Sequence, residues 1–206
     1  MSEDSGGPVS GRVRSNRRAR VLIAGSTGLV GTVVTDLLAA DARLDVVALV
    51  RSNKPRERVE TRVFDYENDE SYVELARDAF DVLVLCLGTT RKKAGSDEAF
   101  RRVDLDYPSK LLGAVGGGVS AIGLVSSVGA ESGRGLYLGT KLELERRVMA
   151  TGARYVIVRP SFLVGAREEF RLGERVGLAT VAPLLKGLGA IASGMKKYAP
   201  IRAEEV

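Results

Sequence analysis

The stretch Val21-Leu22-Ile23-Ala24-Gly25-Ser26-Thr27-Gly28-Leu29-Val30-Gly31 constrains this chain more than any other. An apolar run of strand length leads straight into glycines spaced three apart, and apolar positions of helical period follow at Val33, Val34, Leu37 and Leu38. Glycines at a strand-to-helix junction permit a tight turn and let a phosphate approach the backbone. They also start the helix close to the strand, with its first amides aimed at negative charge. That placement predicts a dinucleotide site rather than an ordinary loop.

The alternation continues along the chain. A helix is expected over Gly31 to Ala40, a strand over Asp45 to Val50, a short strand over Arg62 to Phe64 and a helix over Glu70 to Ala79. Asp81 to Leu87 reads DVLVLCL, apolar on both faces, as in a parallel sheet covered by helices on each side. A helix from about Ser96 to Val115, a strand Ala121 to Ser126, a helix from about Leu136 to Ala150 and a strand Tyr155 to Val158 complete the pattern. This order predicts an α/β fold with a doubly wound parallel sheet. Residues 1–19 read as a disordered basic tail and 20–206 as a single domain. Within it, glycine-rich 161–206 reads as a small irregular substrate lobe.

Composition removes several chemistries. The chain has no histidine and one cysteine, so triads with a histidine base and internal disulfides are excluded, and no metal site is expected. Acid–base groups near neutral pH must come from Tyr, Lys, Asp, Glu or Cys86. Cys86, inside an apolar strand, reads as a small buried hydrophobe. The net charge of +5 is concentrated in the tail, where Arg12, Arg14, Arg17, Arg18 and Arg20 face only Glu3 and Asp4. Specific nucleic-acid binding is therefore not expected. No run approaches the ~18–20 apolar residues of a membrane span, and the N-terminus lacks a secretory apolar core, so a cytoplasmic protein is expected.

A chain that binds NAD usually places an acid about 20 residues beyond the glycine loop, at the end of the second strand. Here that position holds Arg51, with Lys54 nearby. A guanidinium there pairs with a 2′-phosphate, which favours NADP(H) over NAD(H).

Tyr137 and Lys141 stand four apart and share a helix face. A cation beside a phenol favours its ionised form, making the tyrosine usable for proton transfer without histidine. Of the six tyrosines only Tyr137 has a lysine at this offset. The preceding strand ends in Ser126 and Ser127, at the sheet edge where ligands of such folds bind. Either hydroxyl could steady a substrate oxygen. Glu143, Glu145, Arg146 and Arg147 read as the solvated face of the Tyr137 helix, and Lys92 and Lys93 as a solvated loop.

The segments AGSTGLVG, LCLGTTRKKAGSDEAFRRVDLDY, VSSVGA, YLGTKLELE and VRPSFLVGAREEFRLGER together resemble the atypical short-chain dehydrogenase/reductases. The likeness is closest to the Tat-interacting-protein oxidoreductases and their bacterial, nucleoside-sugar epimerase-like homologues, and it covers about residues 20–206. It implies a Rossmann fold, NADPH binding and Ser-Tyr-Lys chemistry. Carried over, Gly25, Thr27, Gly28, Leu29, Val30 and Gly31 would line the pyrophosphate and Arg51 would meet the 2′-phosphate. Asp65 and Tyr66 would border the adenine, and Leu87, Gly88 and Thr89 would run beneath the ribose. Ser127, with Ser126 as second choice, Tyr137 and Lys141 would form the active trio, Lys141 also holding the ribose. Arg159, Pro160 and Ser161 would wall the nicotinamide. The chain departs from the pattern at Arg202, where relatives tend to carry a histidine.

Two functions remain open on these residues. One is an oxidoreductase for a small carbonyl, alcohol or sugar-like substrate. The other is an NADPH-binding regulatory or protein-interaction module with little or no turnover. A homodimer through helices at a sheet edge is compatible with either.

Overall fold

The computed structural model describes residues 17–53 and 55–160. The expectations for the basic tail before Arg17, for Lys54, and for the lobe over 161–206 with Ser161 and Arg202 lie outside the described residues. Six strands form one sheet: β1 (Ala19–Ala24), β2 (Leu44–Val50), β3 (Val59–Val63), β4 (Val82–Leu85), β5 (Ala121–Val125) and β6 (Arg154–Val158). Their order is β3-β2-β1-β4-β5-β6, with every neighbouring pair parallel. The helices are α1 (Leu29–Ala40), α2 (Asp69–Leu75), α3 (Arg91–Ala94), α4 (Asp97–Arg101), α5 (Tyr107–Val115) and α6 (Gly135–Met149). This is the doubly wound Rossmann architecture that the sequence pattern predicts.

Period-two patterning distributes the strands' side chains between two cores. Val21, Ile23, Val46, Ala48, Val82 and Val84 pack on Val34 and Leu38 of α1. The alternate positions Leu22, Leu49, Leu83, Leu85, Ile122 and Leu124 face Leu75, Leu111, Leu144 and Val148 on α2, α5 and α6. Burying each such side chain contributes roughly 1.5–3 kcal/mol, so the central strands fix the frame on which the loops sit. The chain runs outward from β1 through β2 to β3 and then returns to β4 on β1's other side. The carboxyl ends of β1 and β4 therefore flank the point where strand order reverses, the usual ligand crevice of such sheets.

Several expected boundaries move. The helix expected over Ser96 to Val115 is three pieces, because a π-helical turn over Arg102–Asp106 separates α4 from α5. Pro108 supplies the reason: lacking an N–H, it cannot donate to the carbonyl of Asp104 four residues back, and the ladder widens before it. Lys92 and Lys93 stand on α3 rather than in a loop, still exposed. β3 begins at Val59, three residues before the expected Arg62. Arg17 pairs with Asp81, Arg18 with Asp45, and Ala19 opens β1 opposite Leu44.

Candidate functional site

At the end of β1, Gly25 takes φ +88°, and a Cβ there would lie 2.5 Å from the Cys86 carbonyl on the strand's other flank. Gly31 is held tighter still, for its Cβ would meet the Gly25 oxygen at 2.0 Å. The loop is closed by Gly28 N–H donating to Gly25 O and Thr32 N–H donating to Gly28 O. Gly28 caps α1 with no side-chain acceptor, and no acidic residue stands in the first turn. The first amides of α1 are thus left to an external anion. Thr27, Gly28 and Leu29 are exposed and Val30 half-buried at this opening. A cradle that any side chain would fill, ringed by open N–H groups, fits a dinucleotide pyrophosphate.

The end of β2 places Arg51 in the open, where its charge acts on the phenol of Tyr66. Tyr66 follows β3, buried, with its ring stacked on Tyr107 at 5.1 Å. Burial raises its phenol above the ordinary range, and its hydroxyl has no hydrogen-bond partner among the described residues. Leaving such a hydroxyl unmet costs on the order of 1–3 kcal/mol, which an arriving polar group would relieve. Asp65 is exposed beside it and accepts from Glu67 N–H.

Lys141 is buried and forms an ion pair with Asp104 at 2.8 Å, both side chains almost wholly removed from solvent. The other Asp104 oxygen accepts from Thr89 N–H. A Cβ at Gly88 would touch both the lysine nitrogen and the aspartate oxygen, at 3.6 and 3.5 Å. The pair therefore lies directly against the Leu87–Thr89 segment that follows β4. Asp104 sits on the π-helical turn, an irregularity that recurs at functional sites. Sequence reasoning missed it, although Pro108 marked the break in the helix. One turn before Lys141, Tyr137 is 40% exposed, with the lysine nitrogen 6.0 Å from its ring centre and Phe100 packed against it.

The two serines differ sharply. Ser126 is buried and donates to Glu145, while Ser127 is half-buried and its hydroxyl, among the described residues, donates only to Val128 O at 3.4 Å. Glu145 is the clear correction: expected on a solvated face, it is fully buried. It receives Ser126 Oγ together with Nε and Nη2 of Arg159 at 3.0 and 2.7 Å. Arg159 also approaches Glu131 at 3.6 Å. Its guanidinium thus joins the tips of β5 and β6 to α6. Pro160 O accepts from Val128 N–H, which ties the same two strand ends together. Cys86 is half-buried rather than fully enclosed, and burial pushes its thiol up to about 12 against the opposing charge of Lys141.

Residues 25–177 match the family model described as NAD(P)H-binding. The protein HTATIP2 of Rattus norvegicus is 36% identical over 163 residues, spanning 75% of this chain and 66% of that protein. The mitochondrial protein FMP52 of Meyerozyma guilliermondii is 33% identical over 181 residues, 81% of this chain and 75% of its own. That mitochondrial label contrasts with the cytoplasmic expectation; no described helix is long and apolar enough to cross a membrane. Among solved structures, the UDP-glucuronic acid 4-epimerase of Bacillus cereus in complex with NAD superposes with TM-score 0.54 at 15% identity, over 69% of this chain and 56% of that one. Epimerase Mth375 of Methanothermobacter thermautotrophicus gives 0.58 at 20%, over 70% and 52%. The chain spans little more than half the length of these two enzymes, and the likeness to them is one of fold. The matched glycine cradle, parallel sheet and homologous relatives place the chain in the NAD(P)H-binding family, with the Rossmann fold of short-chain dehydrogenases and epimerases.

Proposed function

We propose that this chain is an NADP(H)-dependent oxidoreductase of short-chain dehydrogenase type, acting on a carbonyl, alcohol or sugar-like substrate through Ser127, Tyr137 and Lys141. The observation that carries the reading is the buried Lys141 ammonium, lying against Gly88 beneath the ligand crevice and one helical turn from the open phenol of Tyr137. Gly25, Thr27, Gly28, Leu29, Val30 and Gly31 hold the pyrophosphate and Arg51 the 2′-phosphate. Asp65 and Tyr66 border the adenine, and Leu87, Gly88 and Thr89 the ribose. When bound, the nicotinamide supplies or accepts the hydride. Tyr137 Oη passes the proton to the substrate oxygen as a carbonyl is reduced, or takes it as an alcohol is oxidised. Lys141 steadies the phenolate, and Ser127 Oγ donates a hydrogen bond to the same oxygen. Ser126 is given to Glu145 and serves the frame instead.

A second reading has its own support. Lys141's charge is already matched by Asp104, and Ser127's hydroxyl leans on the Val128 carbonyl. A site so satisfied suits an NADPH-binding regulatory module with little turnover. The two part on one assay: NADPH absorbance is followed with purified protein and a panel of aldehydes, ketones and keto sugars. Steady consumption with any member supports the oxidoreductase. Tight NADPH binding without consumption across the panel supports the module.

A further inference from the structure

The connection between β2 and β3 runs over residues 51–58, and no helix covers it among the described residues. One side chain from this connection reaches the glycine loop. Arg56 donates from Nη1 to Ser26 O at 3.1 Å, and from Nη2 to Thr32 O at 3.3 Å and to Asp36 on α1 at 2.5 Å. Its side chain is only 22% exposed, whereas that of Asp36 is 64% exposed, so water screens the carboxylate more than the guanidinium. Ser26 O accepts a second bond from Thr32 Oγ1 at 3.2 Å. Two donors thus fix the Ser26–Thr27 peptide within the loop.

Orientation follows from peptide geometry. No cis peptide bond is present among the described residues, and in a trans unit the N–H points opposite to the C=O. With Ser26 O turned to Arg56, Thr27 N–H points the other way. It has no hydrogen-bond partner among the described residues. A carbonyl oxygen held by Arg56 is also one that cannot face an anion in the loop, where it would repel phosphate. The connection accepts local strain to bring this about: Arg56 bridges to Val59 in antiparallel fashion, and Arg58 takes φ +58° between them. For a non-glycine residue that conformation costs about 1–2 kcal/mol and persists only where its surroundings over-determine it.

We infer that Arg56 is a positioning residue for the cofactor: it sets the Ser26–Thr27 peptide of the pyrophosphate loop, which either cofactor would use, and it holds its guanidinium fixed on the connection that also carries exposed Arg51, where a 2′-phosphate would lie. The inference rests on the NADP(H) reading above. Arg51, exposed and without a hydrogen-bond or ion-pair partner among the described residues, supplies the direct partner; Arg56 supplies the rigid part of the same field.

The test is a fluorescence titration of the full chain with NADPH and with NADH, in the wild type, Arg56→Met and Arg56→Lys, with melting temperatures measured alongside. Methionine keeps the apolar stem and loses both charge and fork; lysine keeps the charge. The expected result in Arg56→Met is weaker binding of both cofactors, through the loop peptide they share, with NADPH losing more, so that a wild-type preference for NADPH narrows by about threefold to tenfold, as for loss of one charged interaction. Arg56→Lys should recover part of the preference. Equal weakening toward both cofactors in a folded Arg56→Met overturns the part of Arg56 in cofactor choice, and unchanged affinity for both overturns its role altogether; either outcome leaves the NADP(H) reading standing. Should Arg56→Met not fold, a full wild-type ratio in Arg56→Lys overturns the need for the fork, and a reduced ratio supports it. A wild-type ratio near one overturns the NADP(H) reading and the inference together.

Discussion

The glycine loop offers a ligand backbone amides that are left open, whereas the charged side chains buried on α6, Lys141 and Glu145, are matched by partners. Gly28 caps α1 without a side-chain acceptor and no acid stands in its first turn. Some distance along the same sheet edge, Lys141 meets Asp104 with almost no solvent between them, and the enclosed Glu145 meets both Ser126 and the partly exposed Arg159. An open backbone site binds whatever anion fits it and needs only small residues to stay open. A matched side-chain site holds its groups in one geometry, and removing any one member strands another. The first design suits holding a phosphate, the second suits aiming a proton-transferring group.

The contrast breaks most visibly at Asp104. Asp104→Ala should destabilise the fold by about 3–5 kcal/mol in urea unfolding, because it leaves the buried Lys141 without an anion. A loss below about 1 kcal/mol would mean that Lys141 finds water, and that this end is more open than its burial implies. Within the loop, Gly31→Ala should cost about 3 kcal/mol, since its Cβ would overlap the Gly25 carbonyl. Gly28→Ala sharpens the distinction between a glycine needed by the fold and one needed by a ligand. Its Cβ would sit 3.4 Å from Gly25 O at an ordinary negative φ. Stability should hold within about 0.5 kcal/mol while NADPH binding weakens by about tenfold, the worth of roughly one hydrogen bond.

Glu145→Gln should cost about 2 kcal/mol, less than loss of a wholly enclosed pair, because Arg159 keeps Glu131 and the amide can still accept from Ser126. The smallest effect lies at the opposite edge of the sheet. Hydrogen bonds from the Arg43 side chain and backbone hold Asp41 down to about 2, in an ion pair whose arginine is exposed and whose carboxylate is half-buried. A carboxyl whose folded value is depressed stabilises the fold above its unfolded value near 3.9, and that contribution is lost as pH falls through about 2. Asp41→Asn should therefore lower stability at pH 7 by less than about 1 kcal/mol, and the difference from wild type should vanish between about pH 4 and pH 2. A larger effect at neutral pH would show that water screens this pair less than the exposure of Arg43 implies.

The open half of the site was legible in the sequence because its signals are local. Gly25, Gly28 and Gly31 stand within one turn of chain, and Arg51 is placed by counting along β2. The matched half was not, because its partners meet only through the sheet: Ser126 and Glu145 are 19 residues apart, and Glu145 and Arg159 are 14 apart. Alternating charges along α6 look the same whether the strand tip opposite is water or arginine, and so Glu145 was placed on the wrong face. Asp104 was hidden by a helical period that runs unbroken through 96–115, although Pro108 announced that one carbonyl on it would go unmet. Arg56 was invisible for a different reason, since a loop arginine has no periodicity to betray what it reaches.

If Tyr137 moves the proton while the open loop holds the cofactor, one paired measurement separates the two roles. NADPH affinity and single-turnover decay of NADPH fluorescence, with a carbonyl the wild type reduces, are compared between wild type and Tyr137→Phe. The account predicts an unchanged affinity and a decay rate lower by at least about a hundredfold. An equal decay rate in the two proteins would contradict it, and would move the proton-transferring role away from α6.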